Sequence, residues 1–267
     1  MAQIEGIAVM MLKDVKTWGY QLQNIRPKKI AASPYDLVVI DFAGDDGPFT
    51  PAQVEEMKRK PDGSGRLVIA YMSIGEAETY RPYWNKTWKK EPPDWLGKEN
   101  RQWRGNYGVK FWEPGWQTIV FDYADRIVAA GFDGVYLDKV DEFEDLGHPD
   151  EMVEFVVRIA ARVKAKNPDF IVISQNGDGL LPKKRFRDAI DAFAREDLFF
   201  GEDDDGKPNK PDSIKESIAQ LRTFAGENKP VFVVEYPRNK KQGEQARSDI
   251  AELGFIGHTA GRDLEKI

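Results

Sequence analysis

Apolar and polar positions follow two regimes along this chain. Eight short runs at residues 18–23, 37–41, 67–72, 135–138, 170–175, 192–196, 231–235 and 255–259 are apolar or alternating, and nearly all stop at a polar or acidic residue. Most are separated by one segment with apolar positions at helical spacing, such as Met152, Phe155, Val156, Ile159 and Val163 within 150–166. The runs at 35–41 and 231–235 are continuous and β-branched, the pattern of strands buried on both faces of a parallel sheet. Thr50-Pro51 reads as an N-cap and first helical residue, opening a helix to about Lys60. Further helices are predicted at 116–130, stopped by Gly131, and at 180–188, 213–224 and 245–253. The sixth strand, 190–196, is the weakest by propensity. Strand and helix alternating eight times predict an α/β protein, a (β/α)8 TIM barrel.

One connection breaks the rhythm. After the third strand, residues 73–114 form a long insertion that holds five of the chain's seven tryptophans. Loops of this length without structure of their own are uncommon in compact domains and are usually functional. Two readings stay open: a satellite core packed under the excursion, or tryptophans that serve as platforms for sugar rings.

The 267 residues match the size of one barrel, with no linker or composition break, so a single catalytic domain over 1–267 is expected. There is no cysteine, which removes disulfides and thiolate metal sites. His148 and His258 are the two histidines, too few for a histidine-rich metal site or a Ser-His-Asp triad. No apolar stretch is long enough to span a membrane, and the apolar run at 7–12 lacks a basic lead and a cleavage site, so it is not read as a signal peptide. A net charge of −6 disfavours nucleic acid as a partner and suits a neutral or cationic ligand. A monomer is expected.

In (β/α)8 barrels the chemistry gathers where strands end. Those ends supply Asp41, Asp138, Glu196 and Glu235, with Glu76 just beyond the third strand. Asp138 and Glu196 lie two strands apart in order, across part of one rim, where glycoside cleavage places its two carboxyl groups. Any single strand-end acid could instead pair with a rim arginine or cap a helix; five together make that less economical. Their separation would decide between retention and inversion, which stays open. Asn176, following Gln175, offers an amide for hydroxyls, although Asn-Gly is also ordinary turn chemistry. Tyr20, Tyr71, Tyr236 and Trp84 complete the candidate substrate contacts. Asp141 is a candidate rim hydrogen-bonder, and His258 a candidate for the cleft. Asp133 is read as ending the preceding helix; Glu142, Glu144 and Asp145 are read as solvated loop charge. The acidic stretch 202–205 lacks the ligand spacing of a calcium loop.

The segment Ala70-Tyr71-Met72-Ser73-Ile74-Gly75-Glu76-Ala77-Glu78-Thr79-Tyr80-Arg81 is distinctive. It is followed in order by Pro93-Asp94-Trp95-Leu96-Gly97, Asn106-Tyr107, Phe132-Asp133-Gly134-Val135-Tyr136-Leu137-Asp138 and Gln175-Asn176-Gly177. This ordered set resembles glycoside hydrolase family 114, the endo-α-1,4-polygalactosaminidase family, across essentially the whole chain. The resemblance implies a barrel that cleaves α-1,4-linked galactosamine-containing polysaccharide with no metal or organic cofactor. It puts the family's catalytic aspartate on Asp138, as nucleophile, and its glutamate on Glu196, as acid/base. Asp41, Glu76 and Glu235 would then line a cleft suited to cationic, deacetylated units, and a secreted or cell-surface location is implied. The rivals are a hydrolase of another α-linked glycan, a noncatalytic carbohydrate-binding barrel and a metal-dependent barrel hydrolase.

Overall fold

The computed structural model describes residues 10–202, 204 and 206–267; the start of the 7–12 run and two acids of the 202–205 loop lie outside them. Eight parallel strands form one sheet in chain order: β1 (Trp18–Gln21), β2 (Leu37–Asp41), β3 (Leu67–Ser73), β4 (Gly134–Asp138), β5 (Ile171–Gln175), β6 (Ala192–Glu196), β7 (Val231–Glu235) and β8 (Ile256–Thr259). Each predicted strand is present, including the sixth. Its weak intrinsic preference is overridden by parallel pairing on both sides, Ile173 with Ala192 and Phe193 with Val231. The sheet curls into a nearly closed barrel. At the seam, the Trp18 indole N–H donates to the Ile256 carbonyl at 2.9 Å. The tail returns over the same edge, where the Leu264 carbonyl accepts from Leu22 and Gln23 N–H groups.

Side-chain alternation sorts the core into two shells. Trp18, Tyr20, Leu37, Val39, Ile69, Tyr71, Tyr136, Ile173, Ala194, Phe232 and Val234 fill the barrel. Val38, Ile40, Val68, Ala70, Val135, Leu137, Val172, Phe193 and Val233 face the surrounding helices. Burial on both faces explains the continuous apolar runs, and each such side chain contributes roughly 1.5–3 kcal/mol.

Prolines open the helices Pro27–Ala31, Pro51–Met57, Pro114–Ala129, Pro149–Lys166 and Pro211–Ala225, where a missing N–H costs nothing. Thr50 and Gln53 complete a capping box. The helix predicted at 180–188 is instead a 3-10 turn, Asp178–Leu180, and a helix, Lys184–Ala189, because Pro182 cannot donate within a continuous helix. Residues read as loop charge form the short helix Glu142–Leu146, anchored by Lys139 to Glu142 at 2.6 Å. Asp133 does not serve the preceding helix. It accepts from Lys58 at 2.6 Å and from the Val68 N–H at 2.8 Å, tying the starts of β3 and β4. No helix among the described residues is long and apolar enough to cross a membrane.

The insertion after β3 is not structureless. Glu76–Glu78, Leu96–Glu99 and Asn106–Val109 pair as a three-stranded sheet with the last in the centre. Beneath it Trp84, Trp88, Trp95 and Trp116 pack in series at 5.0–5.3 Å between ring centroids. Gly75 lets the excursion cross the loop after β4: a Cβ there would lie 2.3 Å from the Lys139 carbonyl oxygen.

Candidate active site

Parity along each strand decides which strand-end acid reaches the barrel mouth. In β4, Tyr136 points into the barrel, so Asp138 does as well. In β6, Ala192 and Ala194 point inward and bring Glu196 with them. In β2, Leu37 and Val39 do the same for Asp41. In β7 the inward residues are Phe232 and Val234, which leaves Glu235 on the helix side with Val231 and Val233. The mouth opens into a cleft of about 1330 Å³. Asp138 and Glu196 lie in its wall with Tyr20, Tyr71 and Tyr236, and Asp41, Glu76 and Asn176 also line it.

Asp138 accepts a hydrogen bond from the Tyr71 hydroxyl at 2.6 Å. Burial pushes its pKa up to about 6, against the opposing pull of the Tyr71 bond. The Glu196 carboxyl is held from two sides, by the Gln175 amide and the Tyr236 hydroxyl, while Asn176 Oδ1 accepts the Glu196 backbone N–H at 3.1 Å. Burial first, then the charge of Asp138, push Glu196 up to about 8. Burial thus raises both proton affinities, and Glu196 holds its proton to higher pH than Asp138 does. Two carboxyl groups driven apart in this way can act as nucleophile or base and as proton donor.

The turns that aim these groups share one geometry. Lys139, Asn176 and Asp197, directly after Asp138, Gln175 and Glu196, all adopt left-handed backbone, with φ of 61°, 55° and 53°.

The remaining candidates are divided by their partners. Asp41 is bound by Arg81 at 2.7 Å, and Arg81 also grips Glu78 at 2.6 Å. Glu76 accepts from two asparagine amides, Asn100 at 2.7 Å and Asn106 at 3.1 Å. The Tyr20 hydroxyl donates to Gln175 Oε1 at 3.4 Å. Asp141 is half-buried and lines the cleft. Among the described residues, Glu235 and Trp84 do not line the cleft. Glu235 accepts the Phe199 N–H at 2.8 Å and so fixes the backbone after β6. Burial raises its pKa to about 8. Trp84 packs edge-on against Trp88 and at a tilt against Tyr107 in the insertion's own core. His258 is away from the cleft, packed on Trp18 and Tyr35 and pushed by burial to about 4. Among the described residues, no group of three or more His, Asp or Glu side chains is placed to hold a metal ion.

Two residues with roles at this site escaped the sequence reading. Arg81 is the buried hub of Asp41 and Glu78, and its i,i+3 spacing from Glu78 was a usable signal. Arg262 pairs with Asp197 through two bonds of 2.9 Å and lies over the Tyr236 ring at 4.3 Å. Trp103, one of the five excursion tryptophans weighed as platforms for sugar rings, is half exposed and lines the cleft together with Gln102 and Arg104.

The model of glycoside-hydrolase family GH114 matches residues 6–264. The chain belongs to this family. It is therefore a glycoside hydrolase, with carbohydrate as its substrate class. An uncharacterized protein of Methanocaldococcus jannaschii is 39% identical over 93% of this chain and 76% of its own length. One of Deinococcus radiodurans is 36% identical, covering 96% and 83%. Among solved structures, Aspergillus fumigatus Ega3 in complex with galactosamine has a TM-score of 0.74 at 19% identity, covering 99% of this chain and 98% of that one. The glycoside hydrolase domain of PelA from Pseudomonas aeruginosa reaches 0.72 at 17% identity, covering 95% and 97%. At these identities the two structures establish a shared barrel fold.

Proposed function

We propose that this GH114 member cleaves internal α-1,4 linkages of galactosamine-containing polysaccharide, with Asp138 as nucleophile and Glu196 as acid/base. The observation that carries this reading is that Asp138 and Glu196 both point from strand ends into one cleft, each held by a tyrosine hydroxyl, and burial raises the proton affinity of Glu196 above that of Asp138. Glu196 gives its proton to the glycosidic oxygen as the bond to the anomeric carbon breaks, and Asp138 bonds to that carbon. Water then attacks the same carbon, Glu196 takes the water's proton, and the Asp138 ester is released. This two-step route retains the anomeric configuration.

The substrate class is supported by charge. The cleft wall holds ten carboxyl-bearing residues against four basic ones among the described residues. Such a wall attracts a polycation and repels a polyanion. Galactosamine units that carry free amines are cationic, and the Ega3 barrel is seen in complex with galactosamine. An extracellular polymer of this kind also fits the implied secreted location.

Product release from deacetylated and N-acetylated α-1,4-galactosamine oligomers tests the proposal, with Glu196→Gln as control. Cleavage of the deacetylated oligomer, lost in the variant, is expected. Turnover that survives Glu196→Gln would remove the acid/base assignment, and no cleavage of either oligomer by the folded wild type would remove the substrate class.

A further inference from the structure

The turn 100–105 joins two strands of the insertion and closes on itself, with the Asn100 N–H on the Asn106 carbonyl at 2.7 Å and the Asn106 N–H on the Trp103 carbonyl at 3.1 Å. The two asparagines that bracket this turn aim their side-chain amides at one carboxylate, that of Glu76. Glu76 is only 4% exposed, yet it lines the cleft. Both of these hydrogen-bond partners are neutral, while the Lys139 cation of the same cleft acts on Glu76 through space. A carboxylate offers about four acceptor positions, and two amides fill half of them. Taken out of water and met by neutral donors, such a group keeps a strong attraction for a cation. Asp41, in the same cleft, differs because Arg81 is paired with it directly at 2.7 Å.

Trp103 sits between those asparagines and is 54% exposed on the cleft edge. Trp84, Trp88 and Trp95 of the same excursion pack on one another. A large indole left half open to water in a cleft wall offers a flat apolar face to a ligand. The face of a pyranose ring, with its axial C–H groups, matches that surface.

Resting on the hydrolase reading above, we propose that Glu76 and Trp103 form a subsite for one amino-sugar unit of the substrate, the carboxylate pairing with its ammonium and the indole packing on its ring. The ammonium donates to the lone pairs that Asn100 and Asn106 leave open. An N-acetylated unit lacks the cation, so this subsite reads acetylation state independently of the bond that is cut.

Binding to catalytically silenced Glu196→Gln protein tests this apart from turnover, by calorimetry with deacetylated and fully N-acetylated α-1,4-galactosamine oligomers. Adding Glu76→Gln is expected to weaken the deacetylated oligomer about tenfold to a hundredfold and to leave the acetylated one unchanged. Adding Trp103→Ala, at an exposed position that the fold does not need, is expected to weaken both about threefold to tenfold. Equal loss for both oligomers in Glu76→Gln, or no loss for either, overturns the ammonium pairing. Unchanged binding in Trp103→Ala overturns the platform. If wild type cleaves the oligomers while both variants bind as the parent does, the subsite fails and the hydrolase reading stands. If wild type cleaves neither oligomer and the silenced protein binds neither, both fall together.

Discussion

Tyr71 on β3 lies opposite Tyr136 and Asp138 on β4 lies opposite Ser73, yet the Tyr71 hydroxyl reaches diagonally along the paired strands and donates to Asp138 Oδ2 at 2.6 Å. The bond favours the ionised carboxylate and resists the effect of burial. Tyr71→Phe should therefore raise the pKa of Asp138 above about 6. The acidic limb of the kcat/KM profile should shift upward by roughly one unit. A profile with an unmoved acidic limb would separate Asp138 from that limb.

The wild-type profile should be a bell. Activity rises as Asp138 loses its proton near pH 6 and falls as Glu196 loses its own near pH 8. Asp138→Asn removes the second-largest cause of the Glu196 shift, so Glu196 should titrate below about 8, as carbonyl-labelled NMR would report. Glu196→Gln should lower turnover about 10²- to 10⁴-fold.

Arg262 acts on Glu196 through its neighbours, stacked over Tyr236 and bonded to Asp197. Its positive charge lowers the proton affinity of Glu196. Arg262→Ala should move the basic limb to higher pH, by up to about one unit, and Arg262→Lys should restore much of it. A uniform loss of activity with the limb in place would mean that Arg262 only supports the fold.

Glu235 gives a prediction about stability. Its folded pKa is raised from 4.5 to about 8, so the native state holds a proton there that the unfolded chain releases. This contribution is complete below about pH 4.5 and is lost as pH rises through about 8. The slope from one such group reaches about 1.4 kcal/mol per pH unit. Glu235→Gln keeps an acceptor for the Phe199 N–H and cannot ionise. Urea denaturation at pH 5 and pH 8 should show a smaller loss of stability across that interval in the variant than in wild type.

The barrel was legible in the chain because strands buried on both faces must read as apolar runs, and because five helices open with proline. The inward pointing of Asp138 and Glu196 was legible too, by counting in twos from Tyr136 and Ala194. The same count, continued from Phe232 and Val234, puts Glu235 on the other face. A reading by strand end alone missed it. Partners were harder to read. The Asp41–Arg81 contact spans 40 residues, and Arg262 comes to Asp197 over 65, separations at which no local pattern operates. Trp84 packs on Trp88 and Tyr107 while Trp103 sits in the turn joining two strands of a small sheet, and that sheet was not foreseen.

The three left-handed turns after β4, β5 and β6 bear on how the site meets its glycan. Asparagine and aspartate accept that conformation readily, but for Lys139 it costs on the order of 1 kcal/mol. That cost is met during folding, when the loops lock, and not during each catalytic cycle. The acids then stand preorganised before any sugar enters, so little ordering is left to subtract from the affinity for a carbohydrate. A glycine at position 139 would relax the turn and return that ordering to the binding step.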